Sequence, residues 1–339
     1  MAVPHVESSS SKAPAPRMVP KVSVVTTVYN FEDIVLETVH SILDQTYRDL
    51  ELIVVDDGST DTSADRIEAV KDPRLKLVRA PHSGLPAAGL SRAFEHSRGE
   101  LIAVTGADDV WLPHKIERQI EFFERHPNVG ILHTGFHHLI DGEIKHLRPR
   151  EDEAEVLPAS VMLPRMITSN WICTPTTMLR RETIERAGCL FDTDPLLCGP
   201  EDFDLWLRLC EMGVDFGYIH EPLVLYRIRA TSVSRNFLRN FTGNLRALEK
   251  AHARQPRLYE QHQKLVRARL SYVHRNIGRL RLIEGQPGGL TSVWQAVKFA
   301  PLSVRGWGWM VMGLCGSNVV RAVVAVRDAA LSQFRRQAA

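Results

Sequence analysis

The 339-residue chain is 44% hydrophobic and 24% charged, long enough to bury one large α/β core with an appendage. These are the proportions of an ordinary globular protein rather than a disordered one. The net charge of +2 hides an asymmetry: residues 236–339 hold 17 Lys+Arg against 4 Asp+Glu, so this stretch carries +13 and the first 235 residues carry −11. An acidic body with a basic end predicts that the end faces something anionic, membrane lipid or nucleic acid.

The first 19 residues, rich in Ser, Pro and Ala with no apolar stretch, read as a disordered lead rather than a signal peptide or anchor. Order begins near Lys21. VSVVTTV (Val22–Val28) is the apolar, β-branched run expected of a strand buried on both faces. FEDIVLETVHSILDQT follows with apolar residues at Ile34, Val35, Val39, Ile42 and Leu43, a helical spacing, and ELIVVDD is a second buried strand. The pattern repeats through a helix at Ser63–Val70, strand LKLVR, a helix from about Pro86 to His96, strand LIAVT, a helix over Pro113–His126 and strand VGILHT. Such alternation predicts an α/β fold, a Rossmann-like, mostly parallel sheet with helices on both faces.

After a turn at Asp141-Gly142 the rhythm loosens. A strand-like TTMLR (Thr176–Arg180), a helix from Arg181, a helix over Glu201–Met212 and a late strand PLVLYRIR follow. The expected division is a lead at 1–19, the α/β domain at 20–235, a basic helical extension at 236–285 and an amphipathic segment at 286–339. In the last of these the uncharged window Gly306–Val320 has 15 residues, short of the ~20 needed to cross a bilayer. Trp307, Trp309 and the flanking arginines fit a segment lying in the membrane interface; a helix pair packed on the domain is the other reading. The five cysteines (Cys173, Cys189, Cys198, Cys210, Cys315) form no CxxC and no secretory leader precedes them, so a reducing, cytoplasmic location is expected.

In a parallel sheet, ligands bind beyond the carboxyl ends of the strands. The first strand here ends in Thr27 and Tyr29, the second in Asp56 and Asp57, and the fourth runs into Asp108 and Asp109. Adjacent carboxylates there repel each other and resist desolvation unless a cation compensates them; a hard divalent ion shared with substrate phosphates is the natural one. No GxxxxGK(S/T) and no GxGxxG follows the first strand, which removes the main support for P-loop or ordinary NAD chemistry. His133 and His137 are four apart, but on a strand that spacing carries no ligating meaning, and no zinc site is expected.

Taken in order, VSVVTTVYN…SILDQTYRDLELIVVDDGSTDTS, RGELIAVTGADDVWLPHKIERQ, CTPTTMLRRETIERAGCLFD and GPEDFDLWLRL resemble family 2 glycosyltransferases of the GT-A fold, over about Val22–Ser234. The resemblance implies the roles. Thr27 and Tyr29 would edge the nucleobase pocket, Asp57 would accept from the base, and Asp56 would sit towards the ribose. Asp108 would meet the ribose, and Asp109 a Mg2+ or Mn2+ bridging the diphosphate. Asp202 would be the catalytic base, with Glu201 beside it in the same acceptor-side motif. The segment YRIRATSVS would close over the diphosphate, with Arg227, Arg229 and Ser232 as contacts.

Two departures stand out. Gly89 occupies the position where the family often has Arg, leaving open whether Arg92 takes over a phosphate contact; and there is no QxxRW and no spanning helix pair, which argues against a processive synthase. The implied activity is inverting transfer of a single sugar from a nucleotide-sugar donor, UDP by family habit, to a glycan or lipid-linked acceptor, with peripheral contact to an anionic membrane and no nucleic acid. The alternative is a catalytically silent membrane or assembly scaffold, which would have no use for Asp57, Asp109 and Asp202.

Overall fold

The computed structural model describes residues 19–147, 154–229, 232 and 235–326, so the expected lead segment and residues 327–339 lie outside the described residues. Its core is an alternation of β1 (Val22–Val28), α1 (Val35–Leu43), β2 (Leu50–Asp56), α2 (Ser63–Glu68), β3 (Leu75–Arg79), α3 (Pro86–Glu95) and β4 (Leu101–Val104). The four strands are parallel in the order β3-β2-β1-β4, as the sequence rhythm predicts. Successive residues of a strand point to opposite faces, and both faces are apolar here. Val24, Leu52, Val54, Leu101 and Ala103 meet α1, α2 and a later helix on one side; Val25, Ile53, Val55, Ile102 and Val104 meet α3 and other helices on the other.

The chain continues through β5 (Val110–Trp111), α4 (Lys115–Arg125), a hairpin of β6 (Val129–Ile140) and β7 (Glu143–Lys145), β8 (Val156–Leu157), α5 (Ala159–Thr168), β9 (Met178–Arg180), α6 (Arg181–Arg186), α7 (Glu201–Glu211) and β10 (Asp215–Ile228). The hairpin turn is Asp141-Gly142, both residues with positive φ. Beyond β4 the sheet becomes mixed: β9 is antiparallel to both β4 and β6, β10 is parallel to β6, and β5 closes the edge antiparallel to β10.

Last come α8 (Phe237–Arg254), α9 (Pro256–Gln261), α10 (Gln263–Glu284), α11 (Gly289–Phe299) and α12 (Val304–Leu314), with residues 317–326 also helical. The expected boundary at 285/286 is one tight turn: Gly285 closes α10 in the left-handed conformation and Gly288, also left-handed, opens α11. The helical extension is part of the same body. Ala247, Leu248 and Ala251 of α8 and Tyr259 of α9 are buried in the core that holds α5 and α7.

Part of the extension's positive charge is also matched internally. Arg246 pairs with Asp194 (2.8 Å), Lys250 with Asp192 (2.5 Å), and Arg254 with Asp204 (2.8 Å) and Glu211 (2.8 Å). These three cations of α8 are therefore matched by acids of the body rather than turned outward.

Candidate active site

The carboxyl ends of β1, β2 and β4 open onto one cleft of about 880 Å³, closed on the far side by the residues before α7 and the first turns of α8. The β4 end is held from below. Thr38 Oγ1 donates to the Ala107 carbonyl (3.0 Å), Ser41 Oγ accepts from Trp111 N (3.2 Å), and Gln45 bridges the Leu112 carbonyl and Ile116 N. Helix α1 thus fixes the path of the loop that carries Asp108 and Asp109.

The two acids converge. A Cβ placed on Gly106 would lie 2.8 Å from Asp108 Oδ1 and 2.8 Å from Asp109 Oδ2, so both carboxylates close in on Gly106 and only glycine fits there. Burial pushes the Asp109 carboxyl well above the usual carboxylate range and Asp108 adds to this, while the Arg227 N–H opposes it through a 3.0 Å bond to Asp109 Oδ1. Burial also raises Asp108, against the pull of Arg229 and Arg227. Two desolvated carboxylates with converging oxygens fit a hard divalent cation. Among the described residues no third His, Cys, Asp or Glu joins them, so phosphate oxygens and water would complete its shell.

The nucleobase end is built from two turns. Asp57 Oδ1 accepts from Ser83 N (2.9 Å), Oδ2 accepts from Gly84 N (3.2 Å), and His82 Nδ1 lies 3.0 Å from Oδ2. Gly58, at φ +72°, lets the two turns touch: a Cβ there would meet His82 N at 2.7 Å. Tyr29 stacks on His82 at 4.0 Å and lines the cleft beside Thr27. His82, just beyond β3, is a wall residue that the sequence reading missed; a Gly-containing turn after the third parallel strand is the signal that could have found it.

Across the cleft, Asp202 stands in the first turn of α7. It accepts from Thr174 Oγ1 (2.7 Å), Asn170 Nδ2 (3.1 Å) and Phe203 N (2.6 Å). Burial raises its pKa, and these donors pull it back towards the ionised form. Glu201 Oε2 accepts from Gly199 N (2.6 Å), and burial, with Asp202 adding, lifts its carboxyl to about 7. Cys173 lies between the two acid groups: burial raises its thiol, and both Asp109 and Asp202 add to the shift. Gly243 of α8 makes room for the turn before α7, since a Cβ there would meet Pro200 at 2.6 Å, and Arg239, Asn240 and Asn244 of α8 complete the wall. The wall residues Asn170, Thr174 and those of α8 carry no sequence signal of their own.

Three of the candidate residues do not line the cleft. Asp56 lies behind the cleft wall, its Oδ1 accepting from Ser59 N (3.2 Å) to hold the turn after β2. Arg92 is exposed on α3 and is not part of the wall, and no arginine fits at position 89, where a Cβ would stand 2.1 Å from Thr27 Oγ1. Arg227 also lies outside the wall: its guanidinium donates to the Asp108 carbonyl (2.8 Å) and pairs with Glu37, so it positions the acid loop. Arg229, over the Phe31 ring at 5.2 Å, and Ser232 do line the cleft.

A parallel half-sheet that delivers acids to its strand-order reversal, facing a second acid on a helix start, defines a nucleotide-binding α/β enzyme of the GT-A type. The description "Glycosyl transferase family 2" matches residues 23–188, and the chain belongs to that family. It is 31% identical over 219 residues to the putative glycosyltransferase EpsE of Bacillus subtilis (strain 168), covering 63% of this chain and 74% of EpsE. It is 27% identical over 237 residues to the UDP-Glc:alpha-D-GlcNAc-diphosphoundecaprenol beta-1,3-glucosyltransferase WfaP of Escherichia coli, covering 69% and 89%. Against the uncharacterized glycosyltransferase alr2836 of Nostoc sp. it is 34% identical, over 52% of this chain and 55% of that protein's length.

Two solved structures share the fold. Staphylococcus aureus TarS 1–349 in complex with UDP-GlcNAc aligns with a TM-score of 0.58 at 14% identity, over 82% of this chain and 89% of that one. The mannosyltransferase PcManGT from Pyrobaculum calidifontis, in complex with GDP-Man and Mn2+, aligns with a TM-score of 0.54 at 20% identity, over 95% and 91%.

Proposed function

We propose that the chain transfers one sugar from a nucleotide-diphosphate donor, a UDP-sugar by preference, to an acceptor hydroxyl with inversion, and that a divalent ion assists. The observation that carries this reading is the separation of the acids: Asp108 and Asp109 close in on Gly106 at the end of β4, while Asp202 stands in its own donor cage on α7 across the same cleft. In-line displacement needs that division, because the group that deprotonates the acceptor must stand opposite the leaving diphosphate.

Asp109, with Asp108 beside it towards the ribose, would hold Mg2+ or Mn2+, which when bound offsets the charge growing on the departing diphosphate. Arg229 adds a second positive charge on that side. Asp57 and the backbone turns around it orient the base against the open face of Tyr29. Asp202, fixed by Asn170 and Thr174, takes the acceptor proton. The acceptor reaches Asp202 along the wall of Arg239, Asn240 and Asn244; a lipid-linked glycan suits it, in keeping with the diphosphoundecaprenol acceptor in the name of WfaP. A silent scaffold gains no support, since it needs neither acid group.

The test is Asp202→Asn. Transfer from the preferred nucleotide sugar should fall roughly 10²–10⁴-fold. The rise in melting temperature with UDP and Mn2+ should survive unchanged. Transfer near wild type would show that Asp202 is not the base, and no thermal shift with any nucleotide diphosphate in the wild type would remove the donor site itself.

A further inference from the structure

Helix α12 is apolar on both sides. Its inner side packs on α10 and α11, with Trp309, Met310 and Met312 against Leu282 and Val293. Its outer side repeats the pattern to solvent: Val304 is 85% exposed, Trp307 45%, Val311 59% and Leu314 71%, a stripe at helical spacing. Leu302, 96% exposed, extends the stripe before the helix, and Trp294 of α11, 45% exposed, joins it edge-to-face with Trp307 (6.3 Å). A soluble surface scatters such residues; here they are contiguous.

The charge around this face is one-sided. Residues 263–326 hold 9 Lys+Arg and a single acid, Glu284. Unlike Arg246, Lys250 and Arg254 of α8, which are matched by body acids, Arg305 is exposed beside the stripe and acts electrostatically on Arg275, while Lys298 stands by the Trp294 ring. Exposed tryptophans and aliphatics rimmed by unmatched cations are what an interfacial helix presents to anionic headgroups. Among the described residues no helix is long and apolar enough to cross a membrane.

The face also has a place relative to the cleft. Helices α8 and α10 run antiparallel: Arg269 donates to Asn244 (2.9 Å), and one turn on, Tyr272 meets Phe241. Asn244 and its α8 neighbours line the acceptor wall, and α8 begins at Phe237. The last two turns of α10 therefore overrun the start of α8, and α11 then doubles back along α10, where Ser271 Oγ donates to the Ala296 carbonyl (2.9 Å) and Arg267 to the Lys298 carbonyl (3.2 Å), so the end of α11 and the start of α12 lie level with the α10 segment that meets Asn244.

We propose that Leu302, Trp294 and the outer stripe of α12 form a docking face for the interfacial layer of an anionic phospholipid bilayer. The docking stands by itself; only its use in presenting a lipid-linked acceptor rests on the transfer reading above.

The experiment is co-sedimentation of the full chain with vesicles of phosphatidylcholine, alone or with about 30% phosphatidylglycerol. Binding is expected to the anionic vesicles, to weaken with added salt, and to shift tryptophan fluorescence to the blue. The triple substitution Leu302→Glu, Val304→Glu, Leu314→Glu, at positions that touch solvent, should lower partitioning at least roughly tenfold while leaving melting temperature and the UDP/Mn2+ shift unchanged. Asp202→Asn should bind vesicles like wild type, which separates a failure of docking from a failure of the transfer reading. Absence of vesicle binding, binding indifferent to the triple substitution, or a concentration-dependent dimer that the same substitution dissolves would each overturn the proposal.

Discussion

The two walls of the cleft are built on different principles. The donor wall is a product of strand ends: β1, β2 and β4 are buried in register, and whatever follows each of them is delivered to the same side of the sheet. The acceptor wall has no such template. Asp202 sits where it does because α7 is clamped between the sheet and the helical extension, through apolar packing and through a buried ionic network. Asp204 of α7, fully buried, accepts from Arg208 (2.9 Å) and Arg254 (2.8 Å), while Arg254 also holds Glu211, which accepts from Tyr259 OH (2.8 Å). The donor wall is therefore a property of the sheet, whereas the base depends on residues up to 50 positions further along the chain.

That dependence gives the largest effect. Arg254→Met keeps the apolar stem but leaves Glu211 and one oxygen of Asp204 without their cation inside the protein. Removing one partner of such a buried group costs about 3–5 kcal/mol. Urea denaturation should show a loss of that size with an unchanged slope, and the acceptor step should suffer more than UDP binding at temperatures where the variant is folded. A loss below about 1 kcal/mol would mean that the extension merely leans on α7.

The same contrast explains what could be read in advance. Runs dominated by apolar, β-branched residues, such as Val22–Val28 and Leu52–Val55, each passing into polar residues, announce parallel strands and a crevice beyond them, so Asp57, Asp108 and Asp109 were legible. Which acid of Asp56-Asp57 faces the cleft was not, because neighbours on an extended chain point opposite ways and only the register decides. Arg227 and Arg229, two apart, would share a face on a regular strand, but β10 ends at Ile228 between them. Helix α5 escaped notice because Pro164 lies inside it and Pro158 precedes it, and the first half of β10 because register shifts around Ile219–Pro222 break the alternation. Asn170 and Thr174 are loop residues whose partner is a single distant carboxylate, a relation no local pattern encodes.

A smaller effect separates Glu201 from Asp202. A carboxyl raised from 4.5 to about 7 by burial carries a stability contribution that is complete below the unfolded value and fades as pH climbs through about 7. Ionised Glu201 thus costs the fold up to about 3 kcal/mol at alkaline pH, taking 1.36 kcal/mol per unit. Glu201→Gln, which keeps an acceptor for Gly199 N, should match wild type below about pH 4.5, become increasingly more stable up to about pH 7 and level off above it. A stability difference that is flat across this range would place Glu201 in a wetter setting than its burial suggests.

The donor wall offers the finest test, at the position where the family often carries arginine. Helix α3 lies against β1 so closely that a Cβ on Gly89 would be 2.1 Å from Thr27 Oγ1 and 2.7 Å from Thr27 Cβ. Rotating the threonine relieves the first clash and not the second, so helix and strand must separate. Gly89→Ala gains up to ~1 kcal/mol of helix propensity but meets an overpacking cost of about 1–3 kcal/mol. The net change should be a loss of about 1–2 kcal/mol, accompanied by weaker UDP binding, because Thr27 edges the base pocket and is held there by its 3.1 Å bond to the Val55 carbonyl. Arg92→Ala, on the exposed side of the same helix, should change donor affinity less than about twofold. If instead Gly89→Ala is neutral while Arg92→Ala weakens the donor, α3 turns by a residue in solution, and Arg92 rather than Arg229 is the cation on the diphosphate.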